Sequence, residues 1–191
     1  FIGELSESDR ALLEANKTRV AKVGDYVRSA LVRGLVLEDR VGANPYKFGL
    51  IGSTDSHTGM ASAEEDNFLG KYALDSIPAN GTAETVPGAI GWDAAAQGLT
   101  AVWATENTRE AIFDAMARKE VYATTGPRMT VWFFGGWSFE AADASKRAPG
   151  RIGYSKGVSM GGDLRPGPDG KAPSFLVAAL KDPYSGNLDR I

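Results

Sequence analysis

Residues 46–52, YKFGLIG, are a short apolar run with turn-forming Gly42, Asn44 and Pro45 before it and the polar stretch STDSHTG directly after it. A run of that length is too short for a helix and too apolar for a loop, so the sequence predicts a buried strand that ends abruptly in polar residues. Similar short runs recur at 99–104 (LTAVWA) and 120–124. Helical patterns separate them. Residues 6 to about 39 carry Val20, Val23, Val27, Ala30 and Leu31 at three-to-four spacing, with Ser6 as N-cap and Glu7 and Asp9 in the first turn. Gly24 and Gly34 are expected to divide this stretch. A second helix is predicted over 108–118. Asn107 and Glu110 resemble a capping box there, Ile112, Phe113 and Met116 form the apolar face, and Arg118 and Lys119 lie at the C-terminal end. Residues 59–98 show weak periodicity and are expected to be an ordered excursion with one or two short helices.

Strands alternating with helices imply α/β architecture. From Arg128 the texture changes. MTVWFFGGW is aromatic and β-rich with a Gly-Gly turn, residues 140–172 are rich in Gly, Pro, Ser and Asp, and SFLVAALK (174–181) reads as a strand. This predicts a β-rich, sandwich-like module over 128–191 following a first domain over 1–127, an overall α/β to α+β class.

With no cysteine and a single histidine, His57, the chain has no disulfide, thiolate metal site, Cys nucleophile or two-histidine mechanism of its own. The net charge of -3 offers no basic surplus for nucleic acid. No apolar run approaches the roughly 20 residues of a membrane-spanning helix. The segment FIGELSESDR lacks the basic and apolar regions of a signal peptide. Opening on Phe1 and closing on Ile191, the chain reads as a fragment, which leaves cytoplasm and periplasm both open.

The chemistry is concentrated in Gly52-Ser53-Thr54-Asp55-Ser56-His57-Thr58-Gly59. In extended backbone, residues i and i+2 point the same way. A carboxylate and an imidazole so placed at the end of a strand suit zinc, manganese or iron. Two ligands nevertheless fall short of the three that a catalytic zinc site takes from its protein. Spacing alone also permits a turn-capping Asp55 and an exposed, inert His57.

Three separated segments, KFGLIGSTDSHTG, AEEDNFLGK and ENTREAIFDAMARKEVYATTGPR, resemble in their order the DUF3604 family, a branch of the PHP-like metal-dependent hydrolases. The resemblance extends over roughly residues 25–135 and implies the C-terminal part of a distorted PHP-type (βα)7 barrel. It also implies a divalent-metal cluster in which Asp55 and His57 match the last Asp-x-His motif. The PHP pattern starts with a His-x-His that this chain lacks, so the resemblance implies a parent hydrolase with the other ligands upstream. The isolated chain would then hold metal weakly or not at all. The implied reaction is metal-assisted hydrolysis of a small anionic, phosphoester-like substrate.

Other residues carry weaker signals. Glu64, Glu65 and Asn67 would orient His57 or form a solvated acidic turn. Arg109 and Arg128 suit an anionic group. Thr124 and Thr125 have no base to make them nucleophiles. Lys47 would reach water along its stem or pair with a carboxylate. Trp132, Phe133, Phe134 and Trp137 suit the core of a β module, and the competing reading is a non-catalytic ligand-binding or interaction module built on this aromatic tail. An incomplete barrel leaves strand edges uncovered, which predicts a homo-oligomer or an exchange of elements between copies.

Overall fold

In the computed structural model, the structure describes residues 26–57, 71–72 and 98–189, the backbone of two short strands at 84–86 and 89–90, and positions 7, 11 and 24. The chain divides into two units, one of residues 1–48 and 70–94 and the other of residues 49–69 and 95–191.

The first unit contains helix α1 (Val27–Val41). It stops where expected: Gly42 adopts the left-handed conformation, φ 73°, and its N–H donates to the Glu38 carbonyl at 2.9 Å. Gly34 does not divide the helix. It is the one buried residue of α1, and the Asn44 side chain occupies the space a Cβ would need. The stripe expected to be buried is exposed at Val27 and Leu31, and Leu35 is 64% exposed. Lys47 takes the ion-pair option, with its Nζ 2.7 Å from Glu38 Oε1. Both side chains are well exposed, so the pair contributes little, roughly 0–1 kcal/mol. Most of the predicted excursion lies outside the described residues; within it β1 (Glu84–Val86) pairs antiparallel with β2 (Ala89–Ile90).

The second unit contains two antiparallel sheets. β3 (Leu99–Val102) pairs with β4 (Val121–Thr124), Leu99 opposite Thr124 and Val102 opposite Val121. The connection between them carries helix α2 (Arg109–Ala117). A (βα) barrel joins neighbouring parallel strands through a crossover helix. Here the connection leaves and returns at the same end of the pair, and Lys119 reverses the chain in the left-handed region, φ 62°. Among the described residues the sheets are small and antiparallel, with no closed barrel. The fold is mixed α/β.

α2 is capped by Thr108, not Asn107: the Thr108 Oγ1 accepts from the Ala111 N–H at 3.3 Å. Its buried side is Ala111 and Ala115, whereas Phe113 is 69% exposed. Small residues let the helix approach the strands closely, and the bulky residues then face outward.

The second sheet has the order β6-β5-β7, from β5 (Thr130–Gly136), β6 (Gly157–Ser159) and β7 (Ser174–Leu180). Gly135 and Gly136 are not a turn. They end β5, opposite Phe175 and Ser174. The Gly- and Pro-rich stretch contains a 3-10 helix (Ala141–Ser145) and helix α3 (Pro149–Lys156), neither evident from apolar periodicity. α3 packs through its glycines. Gly150 lies against Trp132, and Gly153 lies against Phe134, the largest fully buried side chain. Tyr154 completes the cluster edge-on to Phe134 at 5.1 Å. A Cβ at Gly153 would overlap the Phe134 ring. Gly153→Ala is therefore expected to lower unfolding stability by about 1–3 kcal/mol in urea melts, against the usual helix-propensity gain of alanine.

The two sheets are tied together. Tyr122 of β4 donates its hydroxyl to the Met129 carbonyl at 2.8 Å and accepts from the Val131 N–H at 3.1 Å. Trp103 Nε1 donates to the Val131 carbonyl at 2.9 Å, and its ring lies 4.0 Å from that of Trp132.

Candidate functional site

Residues 46–52 make no ladder bonds and are not a buried strand: Leu50 and Ile51 are 52% and 59% exposed. The end of the run is nevertheless anchored to the first sheet. The Thr100 hydroxyl donates to the Gly52 carbonyl. A Cβ on Gly52 would lie 2.9 Å from the Leu99 carbonyl oxygen, and one on Gly98 would press against the Thr124 carbonyl. Backbone approaches backbone here too closely for any side chain but hydrogen. The polar segment therefore leaves from a fixed point at the Leu99–Thr124 end of the sheet.

Beyond that point the chain is shaped by its own hydroxyls. The Asp55 N–H donates to Ser53 Oγ at 3.1 Å and the Ser56 N–H to Thr54 Oγ1 at 3.4 Å. Asp55 is left-handed, φ 57°, a conformation that Asp tolerates better than most residues. The extended backbone assumed for Asp-x-His is therefore absent. The two-residue alternation survives by other means: Gly52, Thr54 and Ser56 are half-buried, and Ser53, Asp55 and His57 are exposed. Asp55 and His57 thus share the solvent side.

The His57 ring is oriented by its neighbour, with Nδ1 3.0 Å from the Asp55 carbonyl oxygen. When Nδ1 is the protonated nitrogen, the lone pair lies on Nε2. That is the arrangement by which a backbone carbonyl orients a metal-ligating histidine. Among the described residues, no group of three or more His, Cys, Asp or Glu gathers into a metal-sized cluster. By donor type a carboxylate and an imidazole suit a divalent ion, and two such donors are fewer than the three a catalytic zinc site takes from its protein. Glu64, Glu65 and Asn67 lie outside the described residues.

Arg128 and Arg109 do not share a cleft. Arg128 follows β4 and lines a cleft of about 330 Å³ with Thr100 and Thr124, at the sheet end from which the Asp55 segment leaves. Arg109, the first residue of α2, lines a cleft of about 590 Å³ with Phe113 and Met116.

One buried polar group has no signature in the sequence. Glu120, at the junction of α2 and β4, is 6% exposed and accepts from Tyr154 Oη at 2.9 Å and from Arg118 Nε at 3.0 Å. Burial pushes its carboxyl up, but bonds from Ser159, Tyr154 and Arg118 outweigh this and hold it below the ordinary value of 4.5. Burial and the Glu120 carboxylate push the Tyr154 hydroxyl up to about 12.

The family model described as "Protein of unknown function (DUF3604)" matches residues 4–191. This chain belongs to the DUF3604 family. No curated protein and no solved structure matches it. The DUF3604 match spans the Asp55–His57 segment, both sheets and the Arg128 turn. Among the described residues of this DUF3604 chain, no helix is long and apolar enough to cross a membrane.

Proposed function

We propose that this chain contributes Asp55 and His57 to a divalent-metal site in a PHP-like metal-dependent hydrolase acting on small phosphoester-like substrates. The observation that carries the reading is the geometry of the segment: both donors are on its exposed side, and Nδ1 of His57 is engaged by the Asp55 carbonyl. The remaining ligands, and the PHP-type barrel that would hold them, are part of the proposal and lie beyond the described residues. When bound, zinc, manganese or iron supplies Lewis acidity and an activated water to such a reaction. The residues in hand do the preparatory work. Gly52 and Thr100 fix the exit of the segment, and Ser53 and Thr54 fold it. The test is metal restoration in protein that also carries the remaining ligands of the proposed site: stripped by a chelator, it should recover phosphoester hydrolysis on adding Zn²⁺, Mn²⁺ or Fe²⁺. Failure with all three metals contradicts the proposal.

A second reading has its own observation. Phe133 and Phe175 stack at 5.5 Å and 14° on the outer face of β5–β7 while remaining 41% and 57% exposed. A face of this kind suits an interaction module or self-association. The expected result is a dimer or larger species in light scattering that Phe175→Lys converts to monomer. A wild-type monomer at high concentration contradicts it.

A further inference from the structure

We propose that Arg128 and Thr124 form an oxyanion subsite that holds a phosphoryl group beside the Asp55–His57 segment. The proposal deepens the hydrolase reading and rests on it for the identity of the substrate, but the subsite has its own geometry.

The cleft is set by the turn Thr124-Thr125-Gly126-Pro127. Gly126 takes φ 122°, which suits glycine, and Pro127 limits the backbone that follows it. Arg128 is then pinned at its base: its backbone N–H donates to Asp182 Oδ2 at 2.6 Å. Asp182 is itself held on both oxygens, because Oδ1 accepts the Tyr184 N–H at 2.9 Å. Those backbone bonds, Arg128 first, keep the Asp182 carboxyl below its ordinary range. Asp182 is thus a fixed anion that holds the Arg128 backbone in place. Arg128 is exposed and lines a cleft of about 330 Å³, inside the size range of small-ligand sites.

Thr124 supplies a second, independent feature. It lines the same cleft and is 7% exposed. Its hydroxyl oxygen accepts the Gly126 N–H at 3.3 Å, which leaves the hydroxyl hydrogen for an acceptor. A buried hydroxyl donor beside an arginine fork matches a tetrahedral oxyanion, which presents several acceptor oxygens and negative charge. Leu99 and Met129 also line the cleft.

The location makes the subsite relevant to the same substrate. Thr100, which lines the cleft, is the residue whose hydroxyl anchors Gly52. Asp55 follows three residues later, a distance that extended chain covers in at most about 10 Å.

The experiment titrates inorganic phosphate into the chelator-treated, metal-free chain and follows the amides of Thr124, Thr125, Gly126 and Arg128 and the Arg128 Nε–H by NMR. Saturable shifts are expected, with acetate binding several-fold more weakly because it lacks the tetrahedral oxygens. Arg128→Ala should weaken phosphate at least ~10-fold, and Arg128→Lys should fall between the two. Alanine keeps the N–H that Asp182 holds, so the turn survives, as unchanged Asp182 and Tyr184 signals would show. Asp55→Asn and His57→Ala should leave phosphate binding within about twofold. Their loss of metal binding and the loss of phosphate binding at Arg128 are thus separate results. Unchanged phosphate affinity in Arg128→Ala, no saturable binding, or equal affinity for acetate would overturn the subsite.

Discussion

In protein that carries the remaining ligands of the proposed site, His57→Ala is expected to lower metal-restored phosphoester turnover by more than about 100-fold while leaving the unfolding midpoint nearly unchanged. Loss of a residue that merely orients a metal ligand costs about 10–100-fold, so loss of a ligand itself should exceed that range. Stability should be spared because His57 is exposed. Asp55→Asn should act in the same direction, since the amide oxygen is a neutral and weaker donor. Asp55→Gly is the informative control for the backbone. It removes the carboxylate and relieves the left-handed conformation at φ 57°. It should therefore lose turnover without losing stability. Metal-restored turnover that persists in all three variants would separate this segment from the chemistry.

The second large effect is on the fold. Glu120→Ala is expected to destabilise the protein by about 2–3 kcal/mol, because it leaves the hydroxyl of Tyr154 and the guanidinium of Arg118 without their shared acceptor. The guanidinium is half exposed, so the loss should stay below the 3–5 kcal/mol typical of a fully buried broken pair. Glu120→Gln keeps an acceptor for Tyr154 and should cost roughly half as much. The dependence on acidity follows from the same bonds. The Glu120 carboxyl is held below 4.5, so its contribution is present above pH 4.5 and is lost as pH falls through the lower folded value. Urea melts from pH 7 down to pH 3 should show wild type and Glu120→Gln converging at the acid end. A constant difference across that range would mean that charge plays no part.

The sequence carried some elements clearly and concealed others for physical reasons. β3, α2, β4 and β7 lie close to their expected positions because each is bounded by local turn or cap chemistry and carries its own apolar pattern. α3 was not legible. Its inward positions are glycines chosen for close approach to Trp132 and Phe134, so it has no apolar stripe to read. The same substitution of closeness for bulk misled the reading of α2, where Ala111 and Ala115 face inward and Phe113 faces out. The Gly135-Gly136 pair resembled a turn for a related reason: in β5, Gly136 admits the ring of Phe139 and the Lys156 carbonyl. At the candidate site, the residue types and their spacing were evident, whereas the backbone that presents them was not. A strand was expected, and hydroxyl-bonded turns with a left-handed Asp55 do the work instead. Glu120 gave no signal, because a glutamate between helix and strand is ordinarily solvated, and only the tertiary approach of Tyr154 and Ser159 makes it a buried acceptor.

His57 is the only imidazole in the chain, so its ring nitrogens give an unambiguous pair of ¹⁵N signals. Titrating Zn²⁺ while observing them is the most direct test of the metal assignment. The expected result is a shift at Nε2, with Nδ1 retaining its proton, at roughly high micromolar to millimolar metal, as suits two ligands. Asp55→Asn should abolish that shift. A silent Nε2, or a shift that Asp55→Asn leaves intact, would contradict it.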